Sequence, residues 1–174
     1  LANVAMASTL TGLTIGKNGN AAEITLPAAY SIAGDVNIIG GSVTVSANLT
    51  ASNSGKIDIA CTSSSTATIS AALNSGGETD IQCGSISTTA GISSGANVLL
   101  ESTNTSTSSS VRVSGDVISR VSGSLIRIKA AHDVAIQGVT LQTPGSSSPT
   151  VGGISIWADS DGNGAGRIST TTAC

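Results

Sequence analysis

Phenylalanine is absent from this chain of 174 residues, which has a single Trp, a single Tyr and a single His. A globular domain of such length normally centres its core on aromatic side chains, so a broad core of that kind is excluded. Charge is sparse too, at 10% of residues. The seven Lys and Arg are scattered, the net charge is -3 and the pI is near 4.8, a balance that argues against a nucleic-acid partner. No stretch approaches the ~18 consecutive apolar residues of a membrane-spanning helix. No segment combines helical periodicity with caps. The first residue is Leu1, with no leader-like start, so a processed or internal piece of a longer precursor is expected. Disorder is disfavoured, because Ile and Val are abundant and the net charge is small.

What is present is a recurring strand. It reads Val36-Asn37-Ile38-Ile39-Gly40, Ile57-Asp58-Ile59-Ala60-Cys61 and Thr79-Asp80-Ile81-Gln82-Cys83. It continues as Val98-Leu99-Leu100-Glu101-Ser102, Ile126-Arg127-Ile128-Lys129-Ala130 and Ile154-Ser155-Ile156-Trp157-Ala158. The small residues that end the copies lie 21, 22, 19, 28 and 28 positions apart. Period-two strands recurring at twenty-odd residues are the mark of a solenoid, in which each coil needs a stacked neighbour to bury its apolar face. A narrow interior closed at every coil also explains a core of Ile, Val, Leu, Ala and Thr without aromatics.

Gly, Asn, Ser and Pro punctuate the strands as turns. Weaker strands are predicted at Leu13-Thr14-Ile15 and Glu23-Ile24-Thr25-Leu26, and a second strand of the same coil at Ser42-Val43-Thr44-Val45-Ser46. Residues 34–102 read as short rungs and 111–169 as longer ones, within one domain spanning 1–174. Residues 102–110 form a polar excursion or broad turn, and 143–150 the clearest loop. The expected core stacks Ile57, Ile59, Ile81, Val98, Leu100, Ile126, Ile128, Ile154 and Ile156, since a one-residue slip would turn this set outward.

Cys61 and Cys83 end consecutive copies. Strands stack about 4.8 Å apart, within the Cα separation of about 4.4–6.8 Å that a disulfide spans. A bridge between rungs is expected, the alternative being two small buried thiols in a ladder. Cys174 would then be left over, pointing to a partner in another subunit.

Several segments resemble the filamentous haemagglutinin class of secreted bacterial repeat proteins. GDVNIIGGSVTVSANLTAS at 34–52, SSGANVLLES at 93–102 and GSLIRIKAAHDVAIQGVTLQT at 123–143 are similar to its coil motifs. GGISIWADSDGNGAGRIS at 152–169 resembles its Asp- and Gly-rich segment. The resemblance implies a right-handed β-helix, export to the bacterial cell surface or beyond, and an adhesive or structural role. The chain lacks the Asn-Pro-Asn motifs of that family's secretion domain. It also carries Cys, which such chains usually avoid, so a covalently reinforced member is expected.

Chemistry has few footholds. Asp159, Asp161 and Asn163, with Gly164 following, match the first half of a calcium loop, but position twelve is Thr170 rather than a bidentate Glu. The favoured reading is a self-capped turn, with calcium as the one candidate cofactor and none required. Asp58 and Asp80 occupy equivalent outward positions on consecutive rungs and form a candidate acid pair for a polysaccharide-degrading enzyme. Outward carboxylates more often keep a strand solvated, so no enzymatic activity is expected. His132 beside Asp133 reads as a turn residue, too isolated for a metal site. Arg112, Arg120, Arg127 and Lys129 gather basic charge in the longer rungs, able to receive an anionic glycan or an acidic neighbour, or simply balanced by Glu101, Asp116 and Asp133. Trp157 alternates with the Ile face and points outward, as a contact residue or under the 143–150 loop.

These readings converge on an all-β, single-domain, right-handed parallel β-helix of about seven or eight rungs. The expected function is a structural subunit or rod segment of an extracellular bacterial filament or adhesin, a homopolymer stacked head to tail. Trp157 and Cys174 are its candidate intermolecular contacts. The rival is an adhesin module that binds a cell-surface glycan. An ice-binding β-helix is disfavoured because the Thr residues do not repeat at a fixed rung position.

Overall fold

The computed structural model describes residues 10–105, 109–144 and 153–171, and the chain winds through them as a parallel β-solenoid. The first coil contains β1 (Gly12–Gly16), β2 (Ile24–Leu26) and β3 (Tyr30–Ile32). The second contains β4 (Asp35–Gly40), β5 (Val43–Val45) and β6 (Leu49–Ala51), and the third β7 (Ile57–Cys61), β8 (Thr66–Ile69) and β9 (Leu73–Ser75). The fourth has β10 (Thr79–Cys83), β11 (Ser85–Thr88) and β12 (Ile92–Ser94), and the fifth β13 (Val98–Ser102), β14 (Ser110–Val113) and β15 (Val117–Ser119). The sixth has β16 (Leu125–Lys129), β17 (Asp133–Gln137) and β18 (Leu141–Gln142), and the last β19 (Gly153–Trp157) and β20 (Ile168–Thr171). Corresponding strands stack into two sheets of seven and one of six, so the described residues make six complete turns and two strands of a seventh. That is slightly fewer than the seven or eight rungs expected. No helix occurs among the described residues.

The register of the first sheet follows the recurring motif. Val36 pairs with Ile57, Ile57 with Thr79, Thr79 with Val98, Val98 with Ile126 and Ile126 with Ile154. In-register stacking puts like side chains over like, and the interior becomes continuous rows of branched aliphatics. Ile57, Ile59, Ile81, Val98, Leu100, Ile126 and Ile128 are all fully buried. Burying each such side chain contributes about 1.5–3 kcal/mol.

Ile154 departs from the expectation. It belongs to the same inward row but is 46% exposed. The row carries core residues only where coils lie on both sides, and among the described residues the last coil has a neighbour on one side. Ile156 is half-buried for the same reason and still packs against the core.

The third sheet uses short strands that turn the chain back toward the first. Its inward positions in the central coils include Ser75, Ser94 and Ser119, which are buried. The corner between these sheets holds carbonyls that need donors. Ser75 Oγ meets Thr79 Oγ1 at 2.8 Å and donates to the Gly77 carbonyl at 3.0 Å, while Ser94 Oγ donates to the same carbonyl at 2.7 Å. The two hydroxyls converge on one carbonyl that would otherwise cost about 1–3 kcal/mol to leave buried and unpaired, whereas Ser119 Oγ is buried without a partner among the described residues. Gly76 is required at this corner, because a Cβ there would overlap the Asn53 carbonyl oxygen of the preceding coil.

One sequence expectation is corrected in the second sheet. Thr25, Thr44 and Thr68 do occupy a fixed rung position, in direct register. Unequal coil lengths hide this column in the sequence. It then passes to Ser87, Arg112 and Ala135, so the hydroxyl row is not sustained along the solenoid.

Candidate functional site

The strongest grouping of chemically active side chains lies on the outer face of the first sheet. Alternation turns Asp58, Asp80, Leu99, Arg127 and Ser155 outward in one axial row. A parallel row carries Ala60, Gln82, Glu101, Lys129 and Trp157. The coil pitch of about 4.8 Å spaces both rows. The face is therefore divided along the solenoid axis: acidic at the third and fourth coils, basic and aromatic at the sixth and seventh.

At the acidic end Asp58 and Asp80 are register partners, as expected. Partial burial raises the Asp58 carboxyl above its ordinary range, with Glu78 adding to the rise and Lys56 opposing it. Partial burial also raises Asp80, opposed by a hydrogen bond from Gln82 and reinforced by Asp58, Glu78 and Glu101. Gln82 Nε2 donates to Asp80 Oδ2 at 3.0 Å, while Asp80 Oδ1 is buried without a hydrogen-bond partner among the described residues. Lys56 reaches Glu78 at 3.6 Å and also acts on Asp58, but neither aspartate is in a salt bridge among the described residues. The expectation that these are merely solvated charges is thus incomplete: they are stacked and partly buried.

At the other end Trp157 is 53% exposed, which settles its direction. The Arg127 guanidinium stands 6.0 Å from the ring centroid, at the outer limit of a cation–π contact. Lys129, the register partner of Trp157, donates to Glu101 at 2.6 Å. Arg112 is exposed on the second sheet, and Arg120 donates to the Ser75 carbonyl at 2.7 Å, so the four basic residues do not form one patch. The motif register set Trp157 beside Lys129 and diagonal to Arg127, but the ring contact itself depends on side-chain conformations that the pattern does not specify.

The Asp159 to Asn163 segment folds onto its own backbone. Both Asp159 carboxylate oxygens accept from the Gly164 N–H at 3.0 Å. Asp161 Oδ2 accepts from Asn163 Nδ2 at 2.8 Å, and Asn163 Oδ1 from the Ala165 N–H at 2.9 Å. Asp159 sits at φ 57°, in the left-handed region that Asp tolerates in turns. The candidate calcium ligands are thereby engaged as turn caps. Among the described residues, no group of three or more His, Cys, Asp or Glu could hold a metal ion. His132 Nδ1 lies 3.2 Å from Asp133 Oδ1, in the turn between coil strands.

Cys61 and Cys83 form a disulfide across adjacent coils, with their Cα atoms 4.5 Å apart. Cys174 lies outside the described residues, as does most of the 143–150 loop. At the last coil a depression of about 600 Å³ opens between the sheets, lined by Ile136, Val139, Leu141 and Ile156. Ile168, on the inward row of the second sheet, is 51% exposed there. These are interior side chains facing outward along the axis.

The fold and its faces define a disulfide-braced parallel β-solenoid. No family model, no curated protein and no solved structure matches this chain.

Proposed function

We propose that this chain is a non-enzymatic rod segment of an extracellular bacterial filament or surface adhesin, extended by stacking along the solenoid axis. The carrying observation is the last described coil. Its strands β19 and β20 each have one neighbour, and Ile154, Ile156 and Ile168 present core surface along the axis. An unpaired strand edge over an apolar interior is a template for a further coil, supplied by more chain or by a second copy. Heterologous stacking of that kind does not close and yields a filament. The disulfide fits an oxidising compartment outside the cytoplasm. The resemblance to haemagglutinin-like repeat proteins points the same way.

Negative-stain imaging and sedimentation of the purified chain test this reading. Concentration-dependent linear assemblies are expected, and Ile168→Asp should shorten them while leaving the β signal in circular dichroism intact. Monodisperse monomers at high concentration would refute stacking by copies. A glycan-binding module is the second reading, supported by the exposed Trp157 with Arg127 beside it. Loss of glycan-array binding in Trp157→Ala would favour it.

A further inference from the structure

The outer face of the first sheet carries two unmet electrostatic demands. Asp58 and Asp80 are stacked with neither in a salt bridge, and Asp80 Oδ1 has no hydrogen-bond partner, among the described residues. Arg127 is exposed, has the Trp157 ring at 6.0 Å, and is in no salt bridge among the described residues. The demands are complementary, yet Asp80 and Arg127 form no ion pair within one copy among the described residues. Asp80 and Arg127 share a row but are two coils apart with Leu99 between them. Two coils correspond to about 9.6 Å at the stacking distance.

We propose that this face pairs laterally with the same face of a second copy, the two solenoids running antiparallel about a twofold axis along β13. The charge pattern selects the direction. Parallel pairing would set acidic coils against acidic coils, which like charge opposes. Antiparallel pairing through the fifth coil places each Asp80 against the second copy's Arg127 and Gln82 against its Lys129. The same operation sets Trp157 over Ala60, a small side chain that leaves room for the ring, and Leu99 against its own copy. Glu101 also meets its counterpart, but each is already neutralised by its own Lys129 at 2.6 Å. The contact is isologous and closes at two copies.

Size sets the strength. Five coils by five residues of strand cover roughly 400 Å² on each copy, from strand spacing and rise. A total of about 800 Å² lies at the weak, transient end of protein interfaces. The pairing is therefore a reversible, salt-sensitive bundling contact between rods, separate from axial stacking.

The test is sedimentation equilibrium of Ile168→Asp, which keeps this face and removes an axial contact. Dimers are expected at about 0.01 M salt and a loss of about tenfold or more in association at about 1 M, where the Debye length is near 3 Å. Arg127→Glu and Asp80→Lys should each sediment as monomers alone, and an equimolar mixture of the two should recover the dimer. Monomers of the unreversed chain at both salt concentrations would overturn the proposal. So would a dimer indifferent to salt, or to either charge reversal, or a mixture that stays monomeric. Lateral pairing saturates at two copies whereas axial stacking grows with concentration, so the failure of one is distinguishable from the failure of the other.

Discussion

Breaking the Cys61–Cys83 bond perturbs the solenoid without touching its hydrogen-bond ladder. The bond closes a loop with a sequence separation of 22, one full coil. In the chain-entropy model, opening a loop of that size returns about 11 cal/mol/K to the unfolded chain, or about 3 kcal/mol at room temperature. For a chain of this length each kcal/mol moves the melting point by about 2–4 °C, so the reduced protein should melt about 6–12 °C lower. Cys83 is fully buried, so Cys61→Ala with Cys83→Ala is a better mimic than Ser, which would bury an extra hydroxyl. Thermal melts of oxidised, reduced and doubly substituted protein should give one high and two similar low midpoints. Hydrogen exchange adds a spatial check. The third and fourth coils should lose protection more than the sixth, because solenoid coils are coupled mainly to their neighbours. A change below ~2 °C between oxidised and reduced protein would refute the entropic argument, and two free thiols in non-reducing peptide mapping would refute the bond itself.

Ile128→Asp should abolish folding, since it buries a carboxylate in a fully enclosed row, whereas Ile154→Asp, at a site 46% exposed, should fold; circular dichroism separates the two, and equal damage would contradict the end-coil reading. Asp58 and Asp80 have carboxyls raised in the fold, so the folded state holds more protons than the unfolded chain between the ordinary and the raised values. Their ionisation therefore weakens the fold as pH rises through that window, stability increases as pH falls through it, and Asp58→Asn with Asp80→Asn should stabilise at neutral pH and flatten this slope in melts across the acid range. Chelation should leave melting and assembly unchanged, because Asp159, Asp161 and Asn163 cap their own turn; a lowered midpoint that calcium restores would make them ligands.

Much of this was legible in the chain. The motif of apolar alternation ending in a small residue aligned six coils in their true register, and with it the stacking of Asp58 on Asp80 and the pairing of Cys61 with Cys83. Strands of five or six residues carry enough alternation to declare their faces. The third sheet was not legible. Strands such as Leu73–Ser75 and Ile92–Ser94 are only three residues long, and their inward Ser reads as turn chemistry. The column of Thr25, Thr44 and Thr68 was obscured by coils of unequal length, which defeat any fixed spacing.

The sequence by itself determined a solenoid, its register and its braced coils, because a period-two pattern repeated over stacked coils admits one arrangement that buries every apolar row. Only the tertiary structure decided which inward residues are truly buried, since Ile126 and Ile154 are identical in pattern and differ only in having a coil above them. It alone also decided which outward residues form a face. Asp58, Asp80, Arg127 and Trp157 become a polarised surface through the axial order of coils, a distance measured in stacking steps rather than residues.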